Sequence, residues 1–130
     1  MNVLVATAAG TFAVDLDEGE VEPADEELAP PPAPVLNLPR LVAAAAAGST
    51  VVAVVATKPP LLVSHDAGAT WRGSGRGLPE GRAVAIAPDD PDLFVFATRN
   101  RLYVSRNGGV FWTALPFELP EITAVGFRES

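Results

Sequence analysis

The chain contains no cysteine and a single histidine. The first absence excludes disulfide cross-links, thiol nucleophiles and zinc–thiolate sites, and the second excludes a histidine-rich metal centre. No run of eighteen apolar residues occurs, so the sequence predicts no membrane-spanning helix and no membrane partner. No basic stretch precedes an apolar one at the N-terminus, and strand-like sequence starts at residue 2. The sequence therefore predicts no secretory leader and, with its lack of cysteine, a cytoplasmic protein. Basic residues are scarce, with nine Lys and Arg against sixteen Asp and Glu and a formal net charge of −7. No basic stripe interleaved with aromatics is present, which argues against a nucleic-acid partner. Nothing in the composition calls for a cofactor or a metal.

What is abundant is turn-forming residue types, thirteen prolines and eleven glycines, which suit many short strands and work against long helices. The negative charge is local. Residues 15–27 hold eight acidic residues and no basic one, while the rest of the chain has nine basic against eight acidic. This run leads into P-P-P-A-P at 30–34, which favours extended chain and cannot fill a sheet interior. The sequence predicts an acidic, Pro-rich loop insertion over 22–34, either a solvated connection or a loop that folds over a neighbouring face.

The dominant pattern is internal repetition. Residues 64–71 read S-H-D-A-G-A-T-W and 105–112 read S-R-N-G-G-V-F-W, with a degraded copy, D-L-D-E-G-E-V-E, at 15–22. Each copy follows an apolar run ending in Ala-Thr (3–7, 52–57, 94–98) and precedes Leu-Pro and a second apolar run (38–44, 78–87, 119–127). Asp66 to Asn107 spans 41 residues, as does Pro79 to Pro120, whereas Asp17 to Asp66 spans 49. The surplus falls in the Pro-rich stretch. A period near forty with four short strands per unit is the pattern of propeller blades. The five-alanine run 43–47 reads as a strand rather than a helix, because its counterparts in the other repeats are β-branched or alternating.

These strings resemble the Asp-box, or bacterial neuraminidase repeat, family, S-x-D-x-G-x-x-W. Ser64, Asp66, Gly68, Thr70 and Trp71 match fully; Ser105, Asn107, Gly109 and Trp112 match with Asn in place of Asp; Asp17 and Gly19 carry the degraded copy, which has Glu22 where Trp belongs. The resemblance implies an all-β propeller of the sialidase and sortilin kind. It also implies a box that lies on the turn between the third and fourth strands of each blade, away from any active site. The residue types fit a structural role: a short carboxylate or amide accepts turn N–H bonds, Gly permits positive φ, and Trp fills the gap between blades.

Placing strands in blade order gives three blades in permuted register. The first covers 1–38 and lacks an innermost strand, the second covers 39–77, the third 78–117, and a lone strand at 121–128 ends the chain. Three blades do not close a ring and leave two faces, roughly 300 Å² each from strand spacing and rise, without a partner. The expected resolution is a homodimer forming one six-bladed ring, with 121–128 completing the other subunit's first blade; a homotrimer is the alternative.

The predicted function is a non-catalytic binding or assembly scaffold that uses the loop face opposite the boxes for a protein partner. The alternative is a small-anion or acidic-glycan module, because Arg40, Lys58, Arg76, Arg82, Arg99 and Arg101 fall in loops of that face, and guanidinium groups suit carboxylate and phosphate recognition. A sialidase-like glycosidase is the less favoured reading. The resemblance would require an arginine triad, a tyrosine nucleophile with a glutamate, and an acid/base, yet the only tyrosine, Tyr103, falls on a third strand. Glu80 and Glu121 lie on the appropriate face, and His65 occupies a variable position of the box.

Overall fold

The computed structural model describes residues 1–28 and 33–128, and among them there are twelve strands and no helix. Strands β1 (Asn2–Thr7), β2 (Gly10–Asp15) and β3 (Glu20–Pro23) form the first sheet. Strands β4 (Leu41–Ala47), β5 (Thr50–Val55), β6 (Leu61–Ser64) and β7 (Arg72–Ser74) form the second. Strands β8 (Ala83–Ala87), β9 (Asp90–Ala97), β10 (Leu102–Ser105) and β11 (Thr113–Ala114) form the third. The last strand, β12 (Ile122–Phe127), returns to the first sheet, whose order is β12-β1-β2-β3. All neighbours are antiparallel. The alanine run is a strand, with Ala44 and Ala45 facing Ala53 and Val52 of β5.

The sequence reading assigns β12 to a second subunit; here it pairs with β1 of the same chain, Val3 opposite Phe127 and Val5 opposite Val125. The first sheet is thus complete within one chain. Of the acidic insertion expected over 22–34, residues 22 and 23 belong to β3, and 29–32 lie outside the described residues.

The third sheet is the middle layer, and each of its faces has its own core. Toward the second sheet it presents Val84, Ile86, Phe94 and Phe96, which pack on Val52, Val54, Leu61 and Val63. Phe94 and Phe96 are fully buried and meet the Trp112 ring at centroid distances of 6.2 and 5.9 Å, within the range of favourable aromatic pairs. Gly81 is required here, because a Cβ would stand 2.0 Å from the Phe96 ring. Toward the first sheet the third presents Ala85, Leu93, Val95, Leu102 and Val104, which pack on Val3, Val5, Val14 and Val125, with Phe12 and Phe127 at the border. Alternation along each strand separates the two sets.

The two contacts use corresponding faces. Aligning the Ala-Thr runs (Ala6-Thr7 with Ala97-Thr98) matches Val3 and Val5 of β1 to Phe94 and Phe96 of β9. The first sheet therefore meets the third with the face that the third turns toward the second, a head-to-tail stacking. Among the described residues, one face on each outer sheet has no sheet against it. On the second sheet that face carries Val51 and Ala53 where the third has Phe94 and Phe96, and Ala44 and Ala46 where the third has Val84 and Ile86. On the first sheet it carries Leu4, Ala13 and Gly126 in one row.

Among the described residues, apolar exposure on these faces is narrower than expected. Leu4, Ala13, Val51 and Ala53 are buried in the single chain, while Leu41, opposite Val55 at one end of the outer face of the second sheet, is 36% exposed. On the first sheet, part of the acidic segment forms an ion pair with the end of the described chain. Arg128 stands in line with Asn2 on the outward side, and its Nε donates to Glu26 Oε2 at 3.1 Å. The pair links the chain after β3 to the β12 edge, the opposite edge of this sheet.

Candidate functional site

The two full repeat turns share a hydrogen-bond network, to which the first adds the Thr70 hydroxyl. In the first, Asp66 accepts from the Thr70 N–H at 2.8 Å, the Thr70 hydroxyl at 2.5 Å and the Ser64 hydroxyl at 2.7 Å. The Gly68 N–H donates to Ser64 Oγ at 2.8 Å. In the second, Asn107 accepts from the Phe111 N–H and the Ser105 hydroxyl, each at 3.0 Å, and the Gly109 N–H donates to Ser105 Oγ at 2.9 Å. Each turn needs left-handed backbone, at Ala67 and Gly68 in one and at Gly108 and Gly109 in the other. These contacts hold the backbone of each turn in place.

Three donors on one carboxylate, led by the Thr70 hydroxyl and N–H, lower the Asp66 pKa from 3.8 to about 2. A depressed folded-state pKa means that this carboxylate supports the fold above its ordinary value, with the support lost as pH falls toward 2. Asp66→Asn preserves an acceptor, as Asn107 does in the neighbouring repeat, but cannot titrate. Thermal melting from neutral pH down to pH 2 is therefore expected to fall less steeply for Asp66→Asn than for the native chain. Equal slopes would show that the carboxylate makes no such contribution.

The degraded copy is built differently. Asp15 follows Thr7 by eight positions, whereas Ser64 and Ser105 follow Thr57 and Thr98 by seven. The added residue shifts the ladder, so Val14 takes the place of Ser64 and Val21, opposite it, takes the place of Trp71. Val21 is half-buried against the core between the first and third sheets. Asp15, not Asp17, caps the turn, accepting from the N–H groups of Asp17 and Glu18 at 2.9 and 3.1 Å. Gly19 retains its turn role with φ of 71°. Asp17 instead pairs with the chain's amino terminus at 3.0 Å and with Arg106 at 3.1 Å, which together hold its carboxyl below the usual range.

The arginines expected at one loop face are divided. Arg82 and Arg99 converge on the Glu121 carboxylate at 3.1 and 3.5 Å, and Arg82 foremost holds that carboxyl below its ordinary value. Arg101 pairs with Glu118 at 3.1 Å and donates to the Leu115 carbonyl at 3.3 Å. Arg40, at φ 57°, uses its carbonyl to accept from the Ala56 N–H, and Lys58 lies in the β5–β6 loop. Arg76 departs from the group: it lines an outer groove between the second and third sheets together with Arg72. Tyr103 is half-buried against Phe96, with centroids 6.1 Å apart, on the face turned toward the second sheet. The His65 ring lies beside Gly108 of the neighbouring repeat turn and 3.5 Å from Thr50 Oγ1.

The two tryptophans have different surroundings. Trp112 fills the gap between the third and second sheets, its indole N–H donating to Ser74 Oγ at 3.0 Å while that hydroxyl donates to the Gly109 carbonyl at 2.5 Å. Trp71 stands across from Ser64 on the outward face of the second sheet and is half-buried. No family model, curated protein or solved structure matches this chain.

Proposed function

We propose that the chain is a non-catalytic binding and assembly module, one half of a six-bladed propeller that a second copy completes. The observation that carries this reading is the repeated head-to-tail contact: two successive sheet interfaces use the same pair of faces and leave one face of each kind at the ends. Such an arrangement is self-complementary, and two copies related by a twofold axis leave no end unmatched. Trp71 marks the joint, because Trp112 at the corresponding position already fills a joint inside the chain. Ala44, Ala46 and Ala53 on the outer face of the second sheet reduce the cost of leaving it unpaired before association. Completing β1 with β12 in the same chain means that closure joins faces and exchanges no strand.

The anion-binding reading is less favoured, since Glu121 already occupies the guanidinium groups of Arg82 and Arg99. The glycosidase reading is less favoured for the same carboxyl: its pKa is lowered, opposite to the shift a proton donor needs.

Native mass spectrometry tests the assembly. A species of twice the 13.5 kDa chain mass is expected, and Trp71→Ala is expected to return it to monomer. A native chain that stays monomeric at every concentration overturns ring closure. A dimer indifferent to Trp71→Ala overturns the assigned joint.

A further inference from the structure

A groove of roughly 450 Å³ runs along the outer rim between the second and third sheets. Its walls are Arg72, Arg76 and Leu78 on one side and Val110, Phe111 and Trp112 on the other. Val110 is 57% exposed and Phe111 is 74% exposed, among the most exposed large apolar residues of the chain. They sit at the tip of the second repeat turn, whose backbone is fixed by Asn107, Ser105 and Ser74. The turn's own network does not need a large apolar residue at 110 or 111: the first turn has Ala69 and Thr70 there.

The cations of the groove are equally particular. Arg72 is held in place by the Gly108 carbonyl at 3.2 Å. Arg76 is exposed, and among the described residues its side chain makes no hydrogen bond or ion pair. Among the described residues no carboxylate lines the groove, although the chain as a whole carries a net charge of −7. A rigid aromatic ridge flanked by two guanidinium groups, one anchored and one open, matches a ligand that offers both apolar surface and carboxylates.

We propose that this groove is a docking surface for an acidic peptide segment of a partner protein, taking one apolar side chain against Phe111 and Trp112 and flanking carboxylates on Arg72 and Arg76. The surface lies within a single chain and stands whether or not a second copy closes the ring.

The test uses the full chain and a fluorescently labelled synthetic peptide of Glu and Asp around one central Phe. Its Gln/Asn counterpart and a labelled single-stranded oligonucleotide serve as controls. Anisotropy titration is expected to show binding of the acidic peptide that weakens about tenfold in Arg76→Glu and in Phe111→Ser. Both positions are exposed, and circular dichroism verifies that each variant keeps the native spectrum. Binding should also weaken with added salt. Equal affinity for the Gln/Asn peptide overturns the charge recognition. Equal affinity of native and variant chains places any binding elsewhere, and preference for the oligonucleotide makes the surface a polyanion site; either result overturns the proposal.

Discussion

Truncation after Pro120 is expected to abolish the folded state. The lost strand, β12, contributes Ile122 and Val125, which are buried, and Phe127, which packs at the border of the core between the first and third sheets. Each large apolar side chain removed from a packed site costs about 2–5 kcal/mol. The loss also leaves β1 as an edge, with the N–H and C=O groups that pair with β12 unsatisfied and Val3 and Val5 open on one side. Domains of this kind have about 5–15 kcal/mol of net stability, so the combined loss exceeds what is available. Every copy of the truncated chain lacks β12, so the defect should not depend on protein concentration. A synthetic peptide of residues 119–128 added to the truncated chain should restore a cooperative melt by circular dichroism. A truncated chain that melts cooperatively at the native temperature would remove β12 from the core.

Trp112→Ala and Trp71→Ala are expected to separate by their surroundings although the two residues are equivalent in the repeat. Trp112 touches Phe94 and Phe96 and donates its indole N–H to Ser74, so its removal opens a cavity between two sheets and leaves the Ser74 hydroxyl without that donor. A loss of about 3 kcal/mol is expected in urea denaturation. Trp71 lies on a face with no sheet against it, so its removal from the single chain should cost about 1 kcal/mol. Measured at a concentration where the chain is monomeric, comparable losses would show that Trp71 is enclosed as Trp112 is. A large Trp71 loss that appears only as concentration rises would instead report the joint between copies.

Much of the architecture was legible from residues alone. The Ala-Thr runs, the Leu-Pro starts and the period of 41 residues located the strands of the second and third sheets, because apolar alternation and turn chemistry are local properties. The networks around Asp66 and Asn107 were legible for the same reason, since each lies within a few residues of chain. The degraded copy was less so. Matching Asp17 to Asp66 follows the letters, but one added residue between Thr7 and Asp15 displaces the ladder, and only backbone pairing shows that Val21 takes the tryptophan position.

The sequence by itself determined an all-β chain of three repeats, a local acidic segment and the turns that hold each repeat together. Tertiary structure decided which carboxylates meet which cations, because Glu121 with Arg82 and Glu26 with Arg128 are 39 and 102 positions apart. It also decided that β12 closes the first sheet in its own chain. Strand pairing by backbone hydrogen bonds is nearly indifferent to side-chain identity, so a lone strand's sequence does not specify which chain's open edge it joins. In the structure Ile122, Val125 and Phe127 of β12 pack into the core between the first and third sheets.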